Sequence, residues 1–263
     1  MICYFLFLTH RAIGYDFNPD DVMILNFAIS RPLRLNLESC VLFWNGYIRP
    51  LGTMFYLLVY RFAGYWALPF RVAAFCLLIL NLVLLYRFAL ALSRSRTIAF
   101  LVLLLGCFHG SMWDIYSNTG TIYDLLCQTF SLIAFTAWVQ AARPAGWRAL
   151  AAVTLAAVAA VESKEMGAMV PSVLLAYELI FRKRPIEVRG LVLTAIVAIV
   201  FVLSRFVQQT AVTGNPAFTP VVSVSHYLMT TKIYLNFLFF GAKLGEPGAV
   251  AVLMSAAALA VVL

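Results

Sequence analysis

The stretch RALAAVTLAAVAAVESKEMGAMVPSVLLAYELIFRKR, residues 148–184, decides how this chain is folded. Two apolar arms, 149–161 and 166–181, flank the charged tetrapeptide 162–165, and basic residues close both ends. Connections rich in Lys and Arg stay on the cytoplasmic side of a membrane. Both ends are therefore expected on one side, and the stretch is predicted to be a helical hairpin. One long helix is the alternative, and it would place one basic cluster on the opposite side.

The arms of this hairpin are short for a membrane. Their 13 and 16 residues span roughly 20 and 24 Å at 1.5 Å per residue, against a hydrocarbon core of about 30 Å. The charged tip is therefore expected to lie recessed, where Glu162, Lys164 and Glu165 lose part of their hydration. In the structural interpretation Lys164 pairs with Glu162 or Glu165. In the functional interpretation Lys164 binds a phosphate.

The composition indicates a membrane protein. Hydrophobic residues make up 63% of the 263 positions and charged residues 11%, which is too much hydrocarbon for a soluble single domain to bury. The chain is predicted to be all-α, a polytopic transmembrane helical bundle forming one domain, 1–263. The basic residues behind the net charge of +8 lie in short connections between apolar runs. This is where membrane proteins carry the charges that orient them, so nucleic acid is excluded as a partner. The five scattered cysteines predict neither a disulfide framework nor a metal pair.

Apolar runs predict about nine helical segments, the first and last of them truncated, so the chain is expected to be a fragment. The segments lie at 1–9, 69–90, 98–112, 121–141, 149–161, 166–181, 190–206, 227–241 and 250–263. Basic residues occupy alternate connections, which places the first long loop, 10–50, with its interfacial helices, on the extracytoplasmic side. Residues 51–62 are expected to form a half-buried helix at that surface. Arg61 and Arg71 are expected to snorkel to the same interface.

The first outer loop carries the acids on which a catalytic hypothesis rests. Asp20 and Asp21 follow Pro19 and precede an apolar tetrapeptide, so they are expected in the first turn of a short helix. Capping and the helix dipole favour acids there without any further role. In the functional interpretation, one of the two carboxylates takes the proton of a hydroxyl acceptor.

Further charged residues are expected at the same outer face. Asp114 lies in the next outer loop and Arg205 near the outer end of its predicted helix, where solvation and snorkelling are the alternatives to a site. Asp124 lies inside a predicted span and suggests a pair or a site, because an acid there is costly. His109 and His226 lack metal-ligand spacing, so no metal ligand is assigned. No phosphate-cradling glycine loop points to a nucleotide.

Three stretches together resemble the C-type (GT-C) glycosyltransferase superfamily, multi-spanning enzymes that use polyprenyl-phosphate sugars. They are Asp16-Phe17-Asn18-Pro19-Asp20-Asp21, Tyr47-Ile48-Arg49-Pro50-Leu51, and Ser163-Lys164-Glu165-Met166 followed by Pro171 and Tyr177-Glu178. The last two are most similar to O-mannosyltransferase-like membrane proteins that join such a core to tetratricopeptide repeats. In order and spacing the likeness covers most of the chain.

The resemblance implies a membrane glycosyltransferase that moves a sugar from a polyprenyl-phosphate donor to a protein or glycan acceptor. It implies catalysis by Asp21 or Asp20, with Asp21 slightly preferred. Substrate binding is assigned to Lys164, Glu165, Arg205, Arg49 and Asp114. The implied location is the bilayer of a bacterial inner (plasma) membrane, with an extracytoplasmic active site. No cofactor is assigned, and a divalent metal stays open.

Two other classes of function stay open on the sequence. A transporter or flippase, for a lipid-linked or small solute, commonly shows inverted repeats and charges at mid-membrane. Here no internal repeat is found, and the polar residues gather at one face. A noncatalytic GT-C-like scaffold would keep the fold without activity. Sugar transfer and proteoliposome flux are the measurements that distinguish these classes.

Overall fold

A computed structural model describes residues 2–41, 49–108, 115, 118–142, 144–181, 186–207 and 223–240. Throughout these ranges the regular secondary structure is helical, which confirms the all-α prediction for them. The helices are α1 (Ile2–Thr9), α2 (Pro19–Ser30), α3 (Leu33–Val41), α4 (Pro50–Ala63), α5 (Ala67–Ser93), α6 (Arg96–Phe108), α7 (Ile122–Gln140), α8 (Trp147–Ser163), α9 (Val170–Ile180), α10 (Val188–Val207) and α11 (Val224–Phe240). Short 3₁₀ turns lie at His10–Gly14, Thr119–Thr121 and Glu165–Met169.

The helix bounds follow the apolar runs of the sequence. The runs from 69–90 to 227–241 each contain one helix, and most bounds agree to within a turn. The run at 51–62 forms α4, and the loop 10–50 contains α2 and α3. The predicted segment 250–263 lies outside the described residues.

Two helices are long and apolar enough to cross a membrane by length and composition, Ala67–Ser93 and Thr119–Gln140. Arg96–Cys107 and Val188–Ser204 are shorter apolar helices. The polytopic bundle predicted from the sequence requires more spans than these two, and it stays a prediction.

The chain turns at Lys164, between α8 and the 3₁₀ turn Glu165–Met169. Lys164 is extended, with φ −159° and ψ 150°, and this ends α8. Gly167 then packs onto α8 so closely that a Cβ at this position would lie 2.3 Å from the carbonyl carbon of Ala160. Glycine is needed here because no side chain fits between the two backbones.

Beyond the turn, α9 runs back toward the level at which α8 begins, beside α7 and α10. Glu178 of α9 accepts a hydrogen bond from Trp138 Nε1, at 2.8 Å, in a buried position. Trp138 and Leu150, near the beginning of α8, both flank Gly190. Glu178 has therefore returned to the level at which α8 began. The predicted hairpin is confirmed, and the single long helix is wrong.

Helices α5 and α7 lie side by side and run in the same direction. The Nδ2 of Asn81 in α5 donates to the carbonyl of Leu125 at 3.0 Å and to Thr129 Oγ1 at 2.9 Å. Further along, the rings of Phe88 and Phe135 lie 5.8 Å apart. The buried amide of Asn81 thus fixes the register of two otherwise apolar helices.

Three basic connections, α5–α6, α7–α8 and α9–α10, lie at one end of the molecule. Glu187, before α10, accepts a hydrogen bond from the backbone N–H of Ala145, at 2.7 Å, and Arg189 donates to the carbonyl of Ala145, at 3.0 Å. These contacts join the α7–α8 and α9–α10 connections. Arg94 ends α5, which runs alongside α7 toward the same end. Lys164 lies at the opposite end, where α8 finishes.

Candidate functional site

The start of α2 is held in place by a cap and by a contact from the far side of the sequence. The backbone N–H of Asp21 donates to Asn18 Oδ1 at 2.8 Å, and the N–H of Asn18 donates to Asp21 Oδ2 at 3.1 Å, a reciprocal capping box. The Nδ2 of Asn18 also donates to Asn118 Oδ1, at 2.6 Å. Asn118 accepts a second bond from the N–H of Gly120, at 2.7 Å. The first turn of α2 is therefore tied to the turn that precedes α7.

Asp21 faces inward and has no solvent exposure. Its Oδ1 accepts a hydrogen bond from the Tyr56 hydroxyl, at 3.0 Å, and its Oδ2 lies 3.7 Å from Arg71 Nη2. Arg71 is buried too and donates to the carbonyls of Tyr15, at 3.3 Å, and Asp16, at 2.7 Å. The expectation that Arg71 snorkels to an interface is wrong. It is an internal cation that joins α5 to the chain before α2.

The electrostatics of this network show what burial does to a carboxylate. Burial raises the pKa of Asp21 above its ordinary value, and the hydrogen bonds from Asn18 and Tyr56 and the charge of Arg71 offset only part of that rise. Burial and the neighbouring Asp21 raise the pKa of Tyr56 as well, so its hydroxyl stays a hydrogen-bond donor. Asp21, the slightly preferred catalytic residue, is thus enclosed among its partners and joins α2 to α4 and α5.

Asp20 points the other way. Its side chain is exposed and lines a cavity of about 560 Å³ at the Lys164 end of the molecule. No hydrogen bond or ion pair joins its carboxylate to any residue in the described part of the chain. The structure therefore reverses the predicted order of the two acids with respect to access, because only Asp20 is open to a substrate in this cavity.

Four parts of the chain build this cavity, which we call the acidic-basic cavity. The described lining residues come from α2, the start of α4, the turn before α7 with the first turn of α7, and the α8–α9 turn. They are Asp20, Met23, Ile24, Phe27, Arg49, Thr53, Asn118, Gly120, Thr121, Tyr123, Asp124 and Lys164. Its volume is typical of sites that hold a small molecule or the polar part of a larger one. Helix α2 contributes the apolar side chains Met23, Ile24 and Phe27 as well as the acid Asp20, and the other three parts contribute Arg49, Asp124 and Lys164.

Lys164 lies in the cavity wall with Asp124 as its partner. Their Nζ and Oδ1 atoms are 2.5 Å apart, and the side chains are 24% and 37% exposed. The structure thus pairs Lys164 with an acid of α7, and not with Glu162 or Glu165 as the structural interpretation of the sequence held. Glu162 is buried beside the turn, at 4% exposure.

Arg49 forms the second ion pair of the site. Its Nε and Nη2 donate to the two carboxylate oxygens of Glu165, at 3.1 and 2.9 Å, a bidentate arrangement. The guanidinium carbon also lies 5.3 Å from the centroid of the Tyr123 ring. Gly52 makes room for that ring, since a Cβ there would lie 2.0 Å from Tyr123 Cε1. Both cations of the cavity therefore occupy fixed positions.

The predicted site residues fall into three groups. Asp20, Arg49 and Lys164 line the cavity together, and Glu165 contacts it through Arg49. Asp21 lies behind the wall, in the buried network. Arg205 belongs to α10, but its side chain lies outside the described part, as does the whole of Asp114. In the described ranges no three His, Cys, Asp or Glu side chains group as metal ligands, and a divalent metal stays an open prediction.

The sequence did not identify the partners of the charged residues that organise the site. Asp124 was recognised only as an acid in need of a pair, and its partner Lys164 lies 40 residues further along the chain. Tyr56 lies 35 residues beyond Asp21, and nothing in its own neighbourhood marks it as the partner of an acid. An unpaired charge in an apolar helix is costly. This cost indicated a partner for Asp124, and the same reasoning would have indicated one for Arg71.

The cavity brings together groups suited to proton transfer and to anion binding. An accessible carboxylate such as Asp20, which has no partner among the described residues, is able to accept the proton of a hydroxyl group. The two cations that line the same cavity, Arg49 and Lys164, are able to exchange carboxylate partners for the oxygens of a phosphate. Comparison with known proteins adds no relative to this picture, because no protein-family model, curated protein or solved structure matches the chain.

Proposed function

We propose that the protein is a membrane-embedded glycosyltransferase that moves a sugar from a polyprenyl-phosphate donor to a hydroxyl acceptor in the acidic-basic cavity. The observation that carries the proposal is the convergence of Asp20, Arg49 and Lys164 on one cavity. These residues are separated by long stretches of sequence and come from the three stretches in which the GT-C resemblance was found.

Asp20 is the general base in this proposal. The acceptor oxygen attacks the anomeric carbon, its proton passes to the Asp20 carboxylate, and the bond from the anomeric carbon to the phosphate oxygen breaks. The bonding electrons leave with the phosphate. Asp20 suits this role because its side chain is exposed and has no partner among the described residues. A carboxylate positioned in this way typically contributes about 10²–10⁴-fold to the rate.

Lys164 and Arg49 stabilise the negative charge that develops on the leaving phosphate. Fixed cations stabilise such charge without reorganising at the moment of reaction. Each cation is held by a carboxylate in the structure, Lys164 by Asp124 and Arg49 by Glu165. Arrival of a doubly ligating phosphate would loosen these partly exposed pairs. The Lys164–Asp124 pair contributes about 0–1 kcal/mol, and the bidentate Arg49–Glu165 pair is the stronger of the two.

A membrane location is part of the proposal. It is supported by the two helices of sufficient length and apolarity and by large exposed apolar side chains on α10, such as Ile196 and Ile199, which are 51% and 56% exposed. Three basic connections, α5–α6, α7–α8 and α9–α10, lie at the end opposite the cavity, so the positive-inside tendency would place the cavity on the extracytoplasmic side. A donor dissolved in the bilayer would then reach the cavity from the lipid.

The experiment that tests the proposal measures sugar transfer by the purified full-length protein from a polyprenyl-phosphate sugar. Asp20→Asn is expected to lower transfer by about 10²–10⁴-fold and to leave the thermal unfolding midpoint unchanged. Asp16→Asn is the matched control, since Asp16 is an exposed acid of the same loop that does not line the cavity, and it is expected to retain transfer. Normal transfer by Asp20→Asn would refute the assignment, and solute flux without any sugar transfer would favour a transporter.

A further inference from the structure

A second cavity lies between the end of α2, the beginning of α3 and the second half of α4. Its volume is about 770 Å³, and we call it the arginine groove. Leu33, Leu57 and Leu58 form part of its apolar wall, and two cations, Arg31 and Arg61, line it as well. No acid is found among the described residues that line it. A groove with this lining is complementary to an anion that carries a hydrocarbon chain.

Arg31 supplies the more specific observation. It directly follows α2, and its guanidinium carbon lies 5.3 Å from the centroid of the Phe27 ring, which holds the group in place. Its Nη1 is buried and has no hydrogen-bond partner in the described part of the protein. A buried donor without an acceptor is unfavourable, most of all on a charged group. The Arg31 guanidinium is thus not fully satisfied by the described chain, and because the residue is partly exposed and lines the groove, an anion in the groove would offset its charge.

Arg61 supplies the second cation. It lies in the last turn of α4, and its side chain is exposed. Within the described ranges no ion pair joins it to an acid. Two guanidinium groups in one groove favour an anion with several oxygens, because each group presents paired N–H donors that match a phosphate.

The edge of the groove has the character of a membrane interface. Phe62, in the last turn of α4, is 85% exposed, and Tyr65 and Trp66, just beyond this helix, are 60% and 63% exposed. Trp and Tyr are enriched where a bilayer meets water, and an exposed apolar cluster marks a contact surface. Leu58, in the groove wall, is 61% exposed. The groove is therefore open to an apolar phase beside an aromatic border.

We propose that the arginine groove binds an anionic phospholipid of the surrounding bilayer. Its phosphodiester group lies between Arg31 and Arg61, and one acyl chain lies along Leu33, Leu57 and Leu58. Clusters of basic side chains at a membrane surface recognise anionic lipid head groups by this chemistry. The inference rests on the membrane location proposed above and not on sugar transfer.

The groove is separate from the candidate active site but close to it in the fold. The two cavities share no described lining residue, yet α2 and α4 contribute to both. A phospholipid in the groove would brace the same two helices that carry Asp20 and Thr53 on the other side. The site is thus an accessory lipid site and not a second donor site.

Native mass spectrometry of the delipidated full-length protein tests the inference, with phosphatidylglycerol and phosphatidylcholine as the added lipids. The wild type is expected to prefer phosphatidylglycerol. Arg31→Gln and Arg61→Gln are each expected to lower that preference about fivefold, and the double variant to abolish it. Arg34→Gln is the matched control, because Arg34 lies on α3 with an 88% exposed side chain paired to Glu38 and does not line the groove. Since Arg61 is exposed, Arg61→Gln is expected to fold normally. It therefore tests the inference even if Arg31→Gln fails to fold.

Three outcomes of this comparison of two phospholipids would overturn the inference. These are equal binding of both lipids by the wild type, an intact preference in the double variant, and an equal loss of preference in Arg34→Gln. A further titration with polyprenyl phosphate distinguishes a bilayer phospholipid from the donor lipid as the source of the phosphate. The inference also fails if only the binding of polyprenyl phosphate depends on Arg31 and Arg61. Asp20→Asn is expected to keep the phosphatidylglycerol preference, so failure of the transferase proposal and failure of the lipid site give different results.

Discussion

Asp20 and Asp21 are neighbours in the first turn of one helix, yet they lie in opposite environments. Asp20 is exposed in the acidic-basic cavity without a partner among the described residues. Asp21 is fully buried, with Tyr56 and Arg71 as its partners. The comparison shows that chemical identity and sequence position do not decide which acid is available for chemistry. The rotation of α2 decides it, because successive residues of an α-helix point in directions about 100° apart.

The largest expected effect comes from removing the buried acid. Asp21→Ala leaves the Tyr56 hydroxyl without its acceptor and the buried Arg71 guanidinium without the carboxylate charge beside it, and it removes half of the capping box. The buried carboxylate is itself unfavourable, as its raised pKa shows, but loss of one partner of a buried pair costs about 3–5 kcal/mol. Urea unfolding in detergent is expected to show this loss in the free energy of unfolding, and an unchanged value would mean that the network is not structural.

The next largest effect is expected on the cavity side, at Lys164. Lys164→Met is expected to lower the transfer rate about 10²–10³-fold, the usual loss for one stabilising group of a transition-state charge. Stability should fall by no more than about 1 kcal/mol, because the pair with Asp124 is partly exposed. Asp124→Asn keeps the lysine and serves as the control. If Asp124→Asn loses transfer as completely as Lys164→Met, the ion pair and not the cation is what matters.

A smaller effect is expected at Gly52, which lies in the same helix as Tyr56 of the buried network and faces the Tyr123 ring of the cavity. A Cβ there would lie 2.0 Å from Tyr123 Cε1, so Gly52→Ala must displace the ring on which Arg49 is positioned. The overpacking is expected to cost about 1–3 kcal/mol of unfolding free energy and to lower transfer. Gly14→Ala is the control, since its Cβ would meet no atom within 4 Å. In a Tyr123→Ala background, which lacks the ring, Gly52→Ala is expected to cost less unfolding free energy than it does in the wild type, and an undiminished cost would show that the clash is not the cause.

The sequence predicted the helices and the meeting of distant charged residues, but not the pairing inside the site. Long apolar runs define helices almost without regard to their neighbours, so most bounds agree to within a turn, and the break at Lys164 follows from the charges that interrupt the run. The common side of Asp20, Arg49 and Lys164 followed from the alternation of basic connections. All of this depends on the one-dimensional pattern of the chain.

The partners depend instead on helix rotation and packing. The proximity of Tyr56 to Asp21 requires α4 to lie beside α2, and the pairing of Lys164 with Asp124 requires α7 and α8 to face each other at one end. Arg71 was expected to snorkel because it lies near the beginning of an apolar helix. It turns inward because the carbonyls of Tyr15 and Asp16 and the carboxylate of Asp21 meet it there, and these contacts come from a separate part of the sequence.

Chemical rescue measures the difference between the two acids most directly. Asp20→Ala and Asp21→Ala, as full-length proteins, are assayed for transfer from a polyprenyl-phosphate sugar with and without added sodium formate, a small carboxylate. Formate is expected to restore transfer to Asp20→Ala, because the missing carboxylate leaves an open space in the cavity. It is not expected to restore transfer to Asp21→Ala, because that position is buried and formate cannot reach it. Wild-type transfer by Asp20→Ala without formate, or equal restoration in both variants, would contradict this expectation.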